Sequence, residues 1–242
     1  MRIIPLKDGD FHVNKNKEFI LLNSAENRIG FKVAVQPFLV IIDDEYMLLD
    51  AGLGMMENGI SKIYTNMAGA GLRPDAITKV LLSHLHKDHI NGLIESGSGE
   101  FRLAFPQARV YMQRREYEYA LTKKESLSYE FEKLDFLVNN ADIFWLNDNE
   151  GTIIEEVTYQ VTGGHTPFHQ VFWIRSDREI AFYGADNLPQ SNYLKVPAAY
   201  KADDDGKKAM QLRIAWEQQA KAQNWQLLLY HDLQAPIVIL GD

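Results

Sequence analysis

Three histidines and one aspartate fall within six consecutive positions of this chain, in the run Ser83-His84-Leu85-His86-Lys87-Asp88-His89. The residues before it, Lys79-Val80-Leu81-Leu82, are typical of a short buried strand, so the polar cluster begins where a strand ends and a loop starts. Side chains at such a position can converge on one point. Because imidazole and carboxylate groups suit zinc, manganese or iron, the run predicts a metal site. Its candidate ligands are His84, His86, Asp88 and His89.

The composition limits both the architecture and the classes of function. The chain has 242 residues, 46% of them hydrophobic, and no Pro/Gly/Ser-rich linker or short repeat divides it. We therefore predict a single domain over residues 1–242. The formal net charge of −8 argues against a nucleic-acid partner. Because cysteine is absent, disulfides, thiolate ligands and a cysteine nucleophile are excluded.

The sequence also predicts a cytoplasmic protein without a membrane partner. The first eight residues lack the apolar core and the small-residue cleavage site of a secretory signal peptide. Every apolar stretch is shorter than the roughly 20 residues needed to span a bilayer.

Hydrophobic patterning favours a mixed α/β layered domain, because strands come first and are then followed by helix, strand and loop. The predicted strands cover residues 33–42, 46–50, 79–82, 109–112, 157–161, 171–174, 180–183 and 225–230. The predicted helices cover residues 56–70, ended by Gly71, a short one opened by Arg73-Pro74-Asp75, and 207–222.

Residues 114–140 stand out because charged and aromatic side chains recur there with helical spacing. We interpret this segment as two helices that form an insertion. The spacing leaves three roles open, namely a solvated helical pair with one apolar face, a lid over a substrate, or the surface of a homodimer.

Three further candidate ligands lie near the ends of apolar runs. They are His165, Asp186 and His231. Repeated placement of a ligand after a strand is what a metal site at one rim of a layered sheet requires. Seven ligands divide naturally between two metals that share a bridging carboxylate. Two such metals can clamp an attacking hydroxide and the oxygen of the group that it attacks.

These residues resemble the metallo-β-lactamase family of metal-dependent hydrolases. The run 84–89 matches the family's H-x-H-x-D-H motif in full, the three later ligands match in order, and Leu48-Leu49-Asp50-Ala51-Gly52 stands where the family usually has Asp-Thr-Gly. The resemblance covers nearly the whole chain. It implies an α/β fold, a four-layer αββα sandwich with pseudo-twofold halves.

The resemblance also implies how the ligands are shared and which cofactors they hold. It places His84, His86 and His165 on one metal, Asp88, His89 and His231 on the other, and Asp186 between them. The implied cofactors are two divalent metal ions, most often Zn²⁺, with Mn²⁺ or Fe²⁺ as alternatives. Hydrolysis would proceed by a metal-bridging hydroxide, with Asp88 or a metal-bound water passing a proton to the leaving group.

Within the family, the chain resembles the quorum-quenching lactonase and methyl parathion hydrolase-like branch. Gly164-His165-Thr166-Pro167-Phe168-His169-Gln170 is similar to the G-H-T-P-G-H motif of those enzymes, and residues 110–117 and 203–216 resemble their flanking segments. This branch implies a lactone or another carboxylic ester of a small molecule as substrate. Phe168 replaces the usual glycine, and Pro189 stands where the lactonases have a tyrosine. Tyr193 is then either a substitute for that tyrosine or a packed aromatic residue.

Several polar residues near the motifs are assigned supporting roles. We predict that Asp50 orients a ligand histidine, with a cap on the turn at Ala51-Gly52 as the alternative. His169 is expected to order its loop or to be a hydrogen-bonded core histidine, and not to be a ligand. The run Asp203-Asp204-Asp205 is expected to form a solvated loop before a helix, where carboxylates are favourable.

The same family leaves other functions open. A phosphotriester or phosphodiester hydrolase is the nearest, followed by a persulfide-dioxygenase-like iron enzyme and a tRNA 3′-processing nuclease. The acidic balance and the lack of a basic RNA-gripping arm count against the nuclease. The flavodiiron branch has Glu in place of His86, which disfavours it. A non-catalytic binding protein would be expected to have lost a ligand, and the motif is complete.

Overall fold

The computed structural model describes residues 1–22, 30–97, 99–176 and 178–241, and the chain divides into two compact units. The first unit comprises Met1–Met112 and Ala120–Trp145, and the second comprises Gln113–Tyr119 and Leu146–Asp242. The single domain over residues 1–242, with an insertion at about 114–140, stays a prediction.

The strands and helices follow one another in this order. The strands are β1 (Arg2–Pro5), β2 (Gly9–Val13), β3 (Phe19–Leu21), β4 (Phe31–Val35), β5 (Phe38–Ile42), β6 (Glu45–Leu49), β7 (Met56–Glu57), β8 (Ile60–Ser61), β9 (Lys79–Leu81), β10 (Ile94–Gly97), β11 (Glu100–Leu103), β12 (Arg109–Gln113), β13 (Asp142–Leu146), β14 (Glu150–Ile154), β15 (Val157–Val161), β16 (Gln170–Arg175), β17 (Ile180–Tyr183), β18 (Gln226–Leu228) and β19 (Ile237–Ile239). The α-helices are α1 (Lys62–Gly69), α2 (Lys87–Ile90), α3 (Arg114–Leu121), α4 (Phe131–Asn140), α5 (Asn192–Lys195) and α6 (Gly206–Gln223). Within the described ranges, none of these helices combines the length and the apolar composition needed to cross a membrane.

A six-stranded mixed sheet, in the order β1-β5-β6-β9-β12-β13, forms the centre of the first unit. Strands β6, β9 and β12 run parallel, and their apolar residues are buried, as expected for parallel strands covered on both faces. In their register Leu49 lies opposite Leu81. The residues that follow β6 and β9 therefore emerge side by side at one edge of the sheet, and the histidine-rich run follows β9.

The prediction of one strand over residues 33–42 is wrong, because Gln36-Pro37 interrupts it. Before the break, β4 pairs with β2 in a separate three-stranded sheet, and after it β5 pairs with β1 and β6. Proline has no backbone N–H to donate to a sheet ladder. The second half of this segment, β5, pairs antiparallel with β6, which covers most of the strand predicted over residues 46–50.

The prediction of a helix over residues 56–70 is wrong for its first part. Strands β7 and β8 form a tight hairpin there, and α1 begins only at Lys62. The two residues at the turn, Asn58 and Gly59, have φ values of 53° and 78°. Asn-Gly is the dipeptide most favoured in such a turn. The chain leaves the helix at Gly71, whose φ is 79°, as predicted.

The second unit is built on another six-stranded mixed sheet, in the order β14-β15-β16-β17-β18-β19. Strands β17 and β18 run parallel, with Tyr183 opposite Leu228. Asp186 and His231 follow the ends of these neighbouring strands. Helix α6 covers the predicted span 207–222 with one residue added at each end, and its buried Trp216 packs on Phe182 of β17.

The predicted helical pair at 114–139 is present as α3 and α4, joined by a loop. This loop lies against the histidine-rich run of the first unit. The carbonyl of Ser128 accepts a hydrogen bond from the Lys87 amide at 2.8 Å, and the Tyr129 ring lies 5.0 Å from the His86 ring, centroid to centroid. These contacts argue against a merely solvated helical pair.

Phe182 of β17 lies at the centre of an aromatic cluster in the second unit. Its ring is fully buried and lies 5.0 Å from Trp173, 4.7 Å from Trp216 and 5.4 Å from Trp225. We expect Phe182→Ala to lower the free energy of unfolding by about 3–5 kcal/mol, because it removes a large buried side chain and leaves a cavity. Urea denaturation monitored by circular dichroism measures this change. Ile239→Ala, at an exposed position, is the control and should change it by no more than about 0.5 kcal/mol. Equal effects of the two substitutions would contradict this description of the core.

Candidate metal centre

The first unit brings its four candidate ligands together. Nε2 of His84 and Nδ1 of His86 lie 3.0 Å apart, and the rings of His84 and His89 are 4.1 Å apart. Oδ2 of Asp88 lies 3.7 Å from Nε2 of His89. His84, Asp88 and His89 are buried, and His86 is half-buried at the start of α2. A four-residue helix therefore lets Asp88 and His89 join the two histidines that precede it.

Asp50 holds His89 from behind. Its side chain is fully buried, and Oδ2 accepts a hydrogen bond from Nδ1 of His89 at 2.7 Å. This bond fixes the imidazole tautomer and leaves Nε2 as the ring nitrogen that can bind a metal ion. The orienting role predicted for Asp50 is therefore present. The backbone amide of Ala51 bonds instead to the carbonyl of His89, at 2.7 Å.

Ser83 extends the influence of Asp50 to a second histidine. The Ser83 hydroxyl donates to Oδ2 of Asp50 at 2.6 Å, and the Ser83 amide donates to Oδ1 at 2.7 Å. With its proton committed to Asp50, the hydroxyl oxygen can accept from Nδ1 of His84, which lies 3.0 Å away. One buried carboxylate therefore orients two imidazoles. Sequence reasoning did not identify Ser83, although it adjoins the motif.

The second unit forms a cluster around Asp186. Its Oδ2 lies 3.3 Å from Nε2 of His165, and its Oδ1 lies 3.0 Å from Nε2 of His231. Each carboxylate oxygen thus faces a different histidine. This is the arrangement that a carboxylate shared between two metal ions requires.

Asp203 orients His165, which corrects the prediction that the run 203–205 is solvated. Its side chain is only 6% exposed, and Oδ1 accepts a hydrogen bond from Nδ1 of His165 at 2.9 Å. Asp205 instead begins α6, where Oδ1 accepts from the Lys208 amide at 3.0 Å. The 38-residue separation of Asp203 from His165 left no local sequence signal for this contact.

The loop that carries His165 is secured from several sides. The carbonyl of His169 accepts from the amides of Thr162 and Gly163, so His169 orders the loop as predicted. From α3, Oε2 of the buried Glu116 accepts from the Thr166 hydroxyl at 2.9 Å and from the Phe168 amide at 3.3 Å. Glu116 is a supporting residue that the sequence analysis missed.

Phe168, which replaces the family's glycine, packs against Arg115. Its ring is half-buried and lies 5.1 Å beneath the Arg115 guanidinium. Together they line a cleft of about 780 Å³ in the second unit, to which Lys208 also contributes.

Pro189 helps to position His231. Its carbonyl accepts from the His231 amide at 2.9 Å, and the side-chain amide of Gln190 donates to the His231 carbonyl at 2.9 Å. The next residue, Asp232, accepts from the amide and hydroxyl of Ser191. Burial opposes ionisation of Asp232, but hydrogen bonds from backbone amides and Ser191 outweigh it and lower its pKa.

The donor atoms of the candidate ligands are of the kind that a divalent metal ion takes. In the first unit, the ligand atoms of His84 and His86 lie within 4.8 Å of each other, and so do those of Asp88 and His89. In the second unit, the same holds for His165 and Asp186. Nitrogen and carboxylate oxygen donors without sulfur suit zinc, manganese or iron. Histidines whose second ring nitrogen is hydrogen-bonded to a carboxylate are typical of metal ligands.

Comparison with known proteins places this geometry in a family. Residues 32–221, which are 190 of the 242, match the family model described as the Metallo-beta-lactamase superfamily. Two curated relatives, the N-acyl homoserine lactonases AttM of Azorhizobium caulinodans and Agrobacterium fabrum, are each 30% identical over 151 residues. The match covers 58% of this chain and 48% of either relative, so the chain spans about half the length of the curated relatives it matches.

Solved structures show the same fold. A probable metal-dependent hydrolase from Staphylococcus aureus is similar to this chain with a TM-score of 0.84 and 20% identity, covering 100% of this chain and 92% of that one. AidC, described as a dizinc quorum-quenching lactonase, has a TM-score of 0.76 and 18% identity over 99% of this chain and 90% of that one. The predicted fold class, an α/β metallo-β-lactamase fold of mixed sheets and helices, is confirmed.

Asp203 and its neighbour offer a matched test of the second unit's cluster. We expect Asp203→Ala to weaken zinc binding by about 10- to 100-fold, because His165 loses the partner that fixes its ring. Asp204→Ala should bind zinc as the unsubstituted protein does, since that side chain is exposed and only its backbone amide bonds to the His165 carbonyl. Titration against a chromophoric zinc chelator measures both. Equal zinc affinities of the two variants would show that Asp203 does not support the metal.

Proposed function

Since the chain belongs to the metallo-β-lactamase superfamily, we propose that it is a metal-dependent hydrolase acting on a lactone or another carboxylic ester of a small molecule. The observation that carries the proposal is the pair of histidine and carboxylate clusters with pre-oriented rings. Support for a lactone comes from the AttM relatives and from the similarity of residues 164–170 to the motif of the lactonase branch.

We assign seven metal ligands on the basis of the family motif. They are His84, His86, Asp88, His89, His165, Asp186 and His231. In this assignment His84, His86 and His165 would hold one ion, Asp88, His89 and His231 would hold a second, and Asp186 would be shared. When bound, two divalent ions (Zn²⁺, or alternatively Mn²⁺ or Fe²⁺) would lower the pKa of bound water and polarise the oxygen of a substrate carbonyl.

The side chains around these ligands reduce the reorganisation needed during the reaction. Asp50 and Ser83 keep the rings of His84 and His89 from rotating, and Asp203 does the same for His165. The buried carboxylates also supply negative charge that offsets the charge of two divalent cations. The ligands are therefore prepared for metal before it binds.

We assign the proton transfer to Asp88. Its carboxylate is 12% exposed, and Oδ2 lies 3.7 Å from Nε2 of His89. In this role Asp88 takes the proton released by the attacking water and returns it to the leaving oxygen as the ester bond breaks.

Tyr193 is assigned a packing role instead of a catalytic one. Its ring stacks on Tyr200 with centroids 4.3 Å apart and lies 5.3 Å from the Arg213 guanidinium. Burial raises the pKa of its hydroxyl, and the charges of Tyr200, Asp186 and Asp203 act in the same direction. The phenol therefore stays protonated. Its ring, however, packs in the core of the second unit.

A hydrolysis panel tests the proposed reaction. Zinc- and manganese-loaded protein should hydrolyse short- or long-chain lactones or aryl esters, and should hydrolyse them faster than a phosphotriester. Asp186→Asn and His86→Ala should abolish both metal occupancy and turnover, because each removes a ligand. Full activity in either variant would contradict the mechanism. Preference for the phosphotriester would favour the phosphoester alternative, and silence across the panel with metals bound would exclude the lactone and ester proposal.

Tyr193→Phe separates the packing role of Tyr193 from proton donation. We expect the kcat for the best substrate of the panel to stay within about twofold of the unsubstituted value, because the ring stacking is kept. If the hydroxyl polarised the substrate carbonyl, kcat would instead fall by about 100-fold, the typical size of a general-acid contribution. Tyr193→Ala, which removes the ring as well, should lower the thermal unfolding temperature where Tyr193→Phe does not.

A further inference from the structure

We propose that Asn187 is a positioning residue that ties the His165 loop to the turn carrying Asp186, and so sets how these two ligands face each other. The inference rests on the proposed metal-dependent function. Asn187 directly follows Asp186 in a short 3₁₀ turn, Ala185–Asn187, and its side chain is fully buried.

The side-chain amide of Asn187 uses both of its ends on the His165 loop. Oδ1 accepts a hydrogen bond from the His165 amide at 2.9 Å. Nδ2 donates to the Gly163 carbonyl at 2.6 Å and to the Thr162 hydroxyl at 3.1 Å, and Nδ1 of His169 lies 3.2 Å away. A single side chain therefore contacts both ends of the loop and the ligand residue itself.

The loop is shaped to admit this amide. Gly164 has a φ of 100°, and a Cβ placed there would lie 2.5 Å from Oδ1 of Asn187. Any larger residue would push the amide out of reach of the His165 N–H. The glycine and the asparagine therefore form one matched contact, in which the backbone of the ligand loop approaches the side chain closely.

Asn187 is itself held in place by Arg213. The guanidinium is buried, and it donates to the Asn187 carbonyl at 2.9 Å and to the Ala198 carbonyl at 2.7 Å. The rings of Tyr193 and Tyr200 lie 5.3 and 5.4 Å from it. A continuous set of contacts thus runs from α6 through Asn187 to His165.

Only an amide of this length meets the demands of the loop. The His165 N–H needs an acceptor, whereas the Gly163 carbonyl needs a donor, and an amide supplies both. An apolar side chain would leave buried polar groups of the loop unsatisfied. The contact is therefore specific to the geometry of the His165 loop and is not a contribution to general packing.

The test compares Asn187→Ala with Leu188→Ala. Leu188 is the next residue and is fully buried in the apolar core, so its truncation destabilises the fold without removing a hydrogen bond from the loop. We expect Asn187→Ala to weaken zinc binding by about 10- to 100-fold, the usual effect of losing a group that orients a metal ligand. The visible spectrum of its cobalt form should change as well. Leu188→Ala should keep the zinc affinity and the cobalt spectrum of the unsubstituted protein.

A graded variant keeps the test decisive if Asn187→Ala does not fold. Thr162→Val removes one hydrogen-bond acceptor of Nδ2 with little change in shape, and its zinc affinity should be lower than that of the unsubstituted protein. The role of Asn187 would be overturned if Thr162→Val left the zinc affinity and the cobalt spectrum unchanged. It would also be overturned if Asn187→Ala and Leu188→Ala had equal effects on both. Neither outcome would contradict the proposed function. Absence of zinc binding in the unsubstituted protein would overturn the proposed function, and this inference with it.

Discussion

The donor atoms of a metal site must be fixed in place, although several polar groups are buried close together there. In both units, buried carboxylates hold the histidine donors in position. Asp50 accepts hydrogen bonds from His89 and Ser83, and Asp203 accepts one from His165. Each bond satisfies a carboxylate that would be costly to bury alone and sets which ring nitrogen is presented to the metal. Strands β6 and β9 are parallel neighbours, and Asp50 and Ser83 follow their adjoining ends. This placement makes the contacts of Asp50 possible.

Much of the fold and the candidate site could be predicted from local patterns. Apolar runs located most of the strands that carry the clusters, and the histidine-rich run 84–89 follows β9 as expected. The orienting role of Asp50 was also predicted, since Asp50 lies in the segment that stands where the family usually has Asp-Thr-Gly. These features depend on residues near one another in sequence, or on a family motif whose spacing is fixed by the metal.

Other features depend on contacts that local patterns do not encode. Asp203 was predicted to be solvated because it belongs to a run of three carboxylates before a helix, and only the tertiary structure places it against His165. Asn187 and Glu116 were missed for the same reason. The break at Pro37 and the turn at Asn58-Gly59 are cases of another kind. Both carry a strong local signal for a break or a turn, but the hydrophobic residues around them favoured a continuous strand and a continuous helix.

The proposal on which the mechanism depends is that the seven ligands assigned from the family motif hold two metal ions, with Asp186 shared. A crystal structure of the zinc-loaded protein, with anomalous data collected on both sides of the zinc edge, tests it most directly. Two anomalous peaks about 3.5–4 Å apart are expected, with one carboxylate oxygen of Asp186 near each. A single peak, or two peaks that do not share Asp186, would contradict it.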